Sequence, residues 1–67
     1  MKGLGHRIRA LRNEKGISRI EFAEAIGITY SAASKYESNA RMPGIKTLIK
    51  MADYFDVSAD FLLGREK

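Results

Sequence analysis

A chain of 67 residues is enough for one domain, 1–67, and a domain that short buries only about 60% of the surface its unfolded chain exposes. It has no cysteine, which removes disulfides and thiolate chemistry, and no run of about 18 apolar residues, which removes a membrane-spanning helix. Its net charge of +4 lies entirely in residues 1–41, where eight basic groups face four acidic ones, while residues 42–67 balance at four of each.

The first helix is expected from about Leu4 to Lys15. Leu4, Ile8 and Leu11 recur at helical spacing, and Gly16 stands where a helix commonly ends. The opening M-K-G-L-G-H-R-I-R lacks the apolar core of a signal peptide, so the chain is expected to stay in the cytoplasm where it is made.

Ser18-Arg19-Ile20-Glu21 has the form of a capping box and predicts a second helix over about 19–26. The Ser18 hydroxyl can accept from the Glu21 amide, and the Glu21 carboxylate can accept from the Ser18 amide. Phe22, Ala23 and Ile26 supply the buried face. Thr29 is suited to cap a third helix from about Tyr30 to Ser38. Only Gly27, Ile28 and Thr29 separate the two helices, a connection short enough to hold them at a steep angle, with Ile28 as its apolar plug. Asn39 tolerates the left-handed backbone that closes the third helix.

A fourth helix is expected over about Ile45–Phe55, with Leu48, Ile49, Ala52 and Phe55 as its core stripe and Lys46, Lys50, Asp53 and Asp56 toward water. Ser58 caps a short fifth helix, about Ala59–Leu63, and Gly64 ends it. Arg65-Glu66-Lys67 is expected to fray. Five helices and no strand pattern give an all-α fold, a compact five-helix bundle with a helix-turn-helix.

The third helix carries the chemistry. Tyr30, Ser31, Ala32, Ser34 and Lys35 form a face with little apolar bulk, the kind of rod that a duplex major groove admits. The basic excess on the same half of the chain suits a polyanion, although charge alone fits equally well a soluble protein that happens to be basic. A merely solvated helix face does not require small residues such as Ala32 and Ala33, which let a backbone approach another surface closely. Catalytic residues are not expected: there is no Ser/His/Asp set, glycine-rich phosphate loop or clear acid pair. His6 stands without a second histidine or a cysteine, so no metal, cofactor or small-molecule ligand is expected.

Five stretches, taken in order, resemble one family. They are R-I-R-A-L-R-N-E-K-G-I-S from Arg7, E-F-A-E-A-I-G-I from Glu21, S-K-Y-E-S-N-A-R-M-P from Ser34, T-L-I-K-M-A-D-Y-F-D-V-S from Thr47 and D-F-L-L-G from Asp60. Together they resemble the Cro and lambda-repressor type of helix-turn-helix, the XRE family, over nearly everything from Gly5 to Gly64. The resemblance implies base contacts at Tyr30, Ser31, Ala32 and Lys35. It implies phosphate contacts at Arg19, Thr29, Ser38 and Arg41, and a structural salt bridge between Arg12 and Glu37. Two positions depart from the family pattern. The first residue of the second helix, usually a glutamine that bonds phosphate and steadies the recognition helix, is Arg19. The usual E-N-G-x-R-x-P run reads Glu37-Ser38-Asn39-Ala40-Arg41-Met42-Pro43.

The resemblance further implies a bacterial or phage transcriptional repressor that binds an inverted repeat in double-stranded DNA as a homodimer. The apolar residues Tyr54, Phe55, Val57, Phe61, Leu62 and Leu63 exceed what one small core requires, which places the dimer contact on the last two helices. The same fold also serves as a protein-binding module, such as an antitoxin or an adaptor.

Overall fold

The computed structural model describes residues 3–65. Lys2, counted in the basic excess, and Glu66 and Lys67, expected to fray, lie outside the described residues. Five helices follow in chain order: α1 Leu4–Lys15, α2 Arg19–Ile26, α3 Tyr30–Glu37, α4 Ile45–Phe55 and α5 Ala59–Leu62. None of the described residues forms a strand, and no helix among them is long and apolar enough to cross a membrane.

The helix ends obey local chemistry. In the capping box, the Glu21 amide donates to Ser18 Oγ at 3.1 Å and the Ser18 amide donates to Glu21 Oε1 at 2.8 Å. Thr29 Oγ1 accepts from the Ala32 amide at 3.0 Å, and Ser58 Oγ accepts from the Phe61 amide at 2.9 Å. These caps satisfy amides that a helix cannot pair internally. α3 and α5 each stop one residue earlier than expected, because Ser38 (φ −90°, ψ 0°) and Leu63 (φ −81°, ψ −4°) already serve as caps. Asn39 takes the left-handed backbone foreseen for it (φ 63°), and Asp56 takes it too (φ 56°), ending α4 rather than lying along its wet face.

The core forms where all five helices meet. Ile8, Phe22, Met51 and Leu62 are its largest fully buried side chains, and the Phe22 and Phe55 rings stack with centroids 5.6 Å apart. One element of the expected stripe is corrected. Ile49 is 50% exposed, whereas Met51 is 0% exposed. Leu48, Met51, Ala52 and Phe55 stand at i, i+3, i+4 and i+7, which is one face of a helix; Ile49 falls beside it. With isoleucine and methionine both apolar, hydropathy alone does not choose between them.

Most of the C-terminal apolar residues belong to this core as well. Phe55 and Leu62 are buried, Tyr54, Val57 and Leu63 pack against the core, and Phe61 remains 37% exposed. More aliphatic surface is uncovered at the start of α4, at Met42, Ile45 and Ile49.

Candidate nucleic-acid interface

α2 and α3 are joined through a left-handed Gly27 (φ 82°), a conformation that an L side chain adopts only with strain. The amides of Gly27 and Ile28 both donate to the Ala23 carbonyl at 2.9 Å, closing α2, while Ile28 packs half-buried against the core. α3 therefore leaves the turn with its phase set. Ala33, Tyr36 and Glu37 point inward and are buried, whereas Tyr30, Ser31 and Lys35 are exposed and Ala32 and Ser34 are half-buried. Thr29, Ser38 and Arg41 are exposed around this face.

Glu37 organises the support beneath it. Its side chain is 0% exposed, and three guanidinium groups surround it. Arg12 binds it with two bonds, Nε to Oε2 at 2.8 Å and Nη2 to Oε1 at 3.1 Å, and also donates from Nη1 to the Ile17 carbonyl at 3.0 Å. Arg9 and Arg19 each approach Oε1 at 3.5 Å. The Arg12–Glu37 pairing expected from the resemblance is thus one part of a four-residue cluster with a surplus of two positive charges. Arg9 lies three residues before Arg12, on the same side of α1, so helical spacing alone could have drawn attention to it.

Arg19 faces α3. Its Nη1 donates to Ser34 Oγ at 3.2 Å and to the Tyr30 hydroxyl at 3.4 Å, and its guanidinium carbon lies 5.7 Å from the Tyr30 ring centroid. Its Nη2 contacts Glu37 at 3.5 Å, and its Nε is buried without a hydrogen-bond partner among the described residues. Arginine thus bonds α2 to α3 at the position where the family pattern has glutamine. With the side chain 31% exposed, part of the guanidinium still meets solvent.

Ser38 spends both donors inside its own helix end, Oγ to the Lys35 carbonyl at 3.1 Å and its amide to the Ser34 carbonyl at 3.0 Å. A phosphate contact from its hydroxyl requires breaking the first of these. A contact between two further residues went unnoticed in the sequence. Asn39 Oδ1 accepts from the Gly5 amide at 2.9 Å, and a Cβ on Gly5 would collide with the Glu37 backbone carbonyl and lie 2.8 Å from the Tyr36 carbonyl oxygen. α1 and the end of α3 are in backbone contact there, and only glycine permits it.

A helix-turn-helix family profile matches residues 8–62. The HTH-type transcriptional regulator AnsR of Bacillus subtilis is 43% identical over 61 residues, covering 91% of this chain and 53% of AnsR. The chain spans about half the length of the first curated relatives it matches. The crystal structure of the P22 c2 repressor with a synthetic operator superposes with a TM-score of 0.92 at 26% identity, covering 98% of this chain and 100% of that one. The structure of SinR, a master regulator for biofilm formation, in complex with DNA superposes with a TM-score of 0.80 at 40% identity, covering 88% of this chain and 95% of that one.

Proposed function

Since the chain belongs to the helix-turn-helix family of Cro and lambda-repressor type, we propose that it binds double-stranded DNA sequence-specifically and represses transcription in the cytoplasm. α3 enters the major groove, and Tyr30, Ser31, Ala32 and Lys35 face base edges. Thr29, Arg41 and the solvent-facing part of Arg19 contact phosphates, and Ser38 joins them only by giving up its bond to the Lys35 carbonyl. The observation that carries this reading is the division of α3: one side is locked into the core and onto Arg12 by Glu37, and the other is polar, basic and open.

The operator is an inverted repeat, read by a homodimer that joins through its last two helices. Ile45 and Ile49 on α4 and Phe61 on α5 are the exposed apolar groups available there. Repression then follows from occupancy: a bound dimer excludes polymerase.

Selection from random duplex DNA tests this reading. The expected product is a pair of symmetry-related half-sites about one helical turn apart, bound with an affinity that falls steeply as salt rises. Failure to enrich any duplex, or an affinity indifferent to salt, refutes it.

A second reading, a protein-binding module such as an antitoxin or adaptor, is favoured by the uncovered aliphatic surface at Met42, Ile45 and Ile49. Its mark is co-purification with a stoichiometric partner and no shift of genomic DNA.

A further inference from the structure

Resting on that reading, we propose that α3 reads hydrogen-bond acceptors, so that each half-site places guanine opposite the face formed by Tyr30, Ser34 and Lys35. A guanidinium has donors and no acceptor, so any oxygen it bonds must be the accepting partner. Arg19 Nη1 bonds both the Tyr30 hydroxyl (3.4 Å) and Ser34 Oγ (3.2 Å). Each of these oxygens is therefore turned with a lone pair toward Arg19. The single hydrogen of each is left to donate elsewhere, and no side chain or backbone acceptor takes the Tyr30 hydrogen among the described residues.

The buried Glu37 holds this arrangement. Arg19 is anchored to Glu37 Oε1 through Nη2 at 3.5 Å, and the Tyr30 ring lies against the guanidinium at 5.7 Å. The carboxylate at the end of α3 thereby sets the hydrogen-bond polarity at its beginning. Lys35 adds three donors and no acceptor on the exposed half of the helix, beside Ser31. Ala32 offers no polar group, and the exposed Ser31 hydroxyl can turn either way.

The base edges answer differently to such a face. Guanine shows two neighbouring acceptors in the major groove, N7 and O6. Adenine pairs its N7 with the N6 donor, and cytosine shows the N4 donor. A Lys35 donor facing the adenine N6 or cytosine N4 donor remains unpaired on leaving water, which is costly, and a hydroxyl whose hydrogen points outward must turn to accept there. Guanine accommodates the whole set.

The test uses the intact chain and defined duplexes. Selected half-sites should carry guanine under α3. Replacing that guanine with 7-deazaguanine, which lacks the N7 acceptor, or exchanging its pair for an A·T pair, should weaken binding about fivefold to tenfold. Arg19→Met removes the donor that turns the Tyr30 hydroxyl hydrogen outward, so the preference for guanine over adenine at that pair should shrink, and Tyr30→Phe should add little in the Arg19→Met background. Half-sites without guanine under α3, or a 7-deazaguanine duplex bound as tightly as the parent, overturn the inference using wild-type protein alone. Arg19→Met that keeps the same base ranking and merely loses affinity on every sequence overturns it too, because that is the behaviour of a phosphate contact. A guanine-free half-site leaves the repressor reading standing; a wild-type chain that binds no duplex removes both.

Discussion

Glu37→Leu isolates the contribution of the buried carboxylate. Arg9 and Arg19 have side chains 51% and 31% exposed and can return to water when Glu37 is lost. Arg12 cannot: its side chain is 12% exposed, it loses two bonds to Glu37, and it keeps only the Ile17 carbonyl. Stranding one member of a buried pair costs about 3–5 kcal/mol, and the retained carbonyl bond places this case near the lower end, about 3 kcal/mol. At roughly 0.05–0.15 kcal/mol per residue the whole domain is stable by about 3–10 kcal/mol, so the loss is a large share. In a domain of this size it lowers Tm by about 12–24 °C. Arg12→Met should cost less, about 2 kcal/mol, because Arg9 and Arg19 remain beside the carboxylate. The double variant Arg12→Met/Glu37→Leu removes both stranded charges, and its loss should be at least about 2 kcal/mol smaller than the sum of the single losses. Urea unfolding followed by far-ultraviolet circular dichroism measures all four proteins. Additive losses would refute the argument that a stranded charge, rather than lost packing, sets the cost.

Four further outcomes are expected. Met51→Ala should destabilise by about 2–5 kcal/mol and Ile49→Ala by under about 1 kcal/mol in the same unfolding assay; the reverse order would restore Ile49 to the core. Gly5→Ala should destabilise by about 3 kcal/mol, because the added methyl meets backbone rather than a movable side chain, and a Tm within a few degrees of wild type would contradict the close α1–α3 approach. Asp56→Gly should stabilise by about 0.5–1 kcal/mol by relieving a left-handed residue, while Asn39→Gly should not, since it also removes the acceptor of the Gly5 amide; equal gains would show that the Asn39 bond contributes nothing. In DNA titrations Lys35→Ala should change which sequences bind, whereas Arg41→Ala should weaken all of them alike and reduce the salt slope by about one; identical behaviour of the two variants would merge the base and phosphate roles assigned to them.

The order and bounds of the five helices were legible in the chain because their causes are local. A capping box, Thr29 and Ser58 as caps, glycine at three helix ends and apolar spacing of three and four all act within a turn or two of the residues concerned. The open face of α3 was legible for the same reason. What spacing could not supply was partner choice. The Arg12–Glu37 pair, 25 residues apart, came from the family resemblance and not from spacing; Glu37 also meets Arg19 across 18 residues and Gly5 meets Asn39 across 34, distances along the chain at which the crossing of α1, α2 and α3 decides who touches whom. Met51 displaced Ile49 for a related reason: the rotation of α4 about its own axis is set by the helices it packs on, and hydropathy does not distinguish the two side chains. Sequence alone thus determined which segments are helical and which face of α3 is polar. The tertiary structure decided the hydrogen-bonding direction of that face, because it turns on where one arginine of α2 comes to rest once a carboxylate from α3 has been buried beside it.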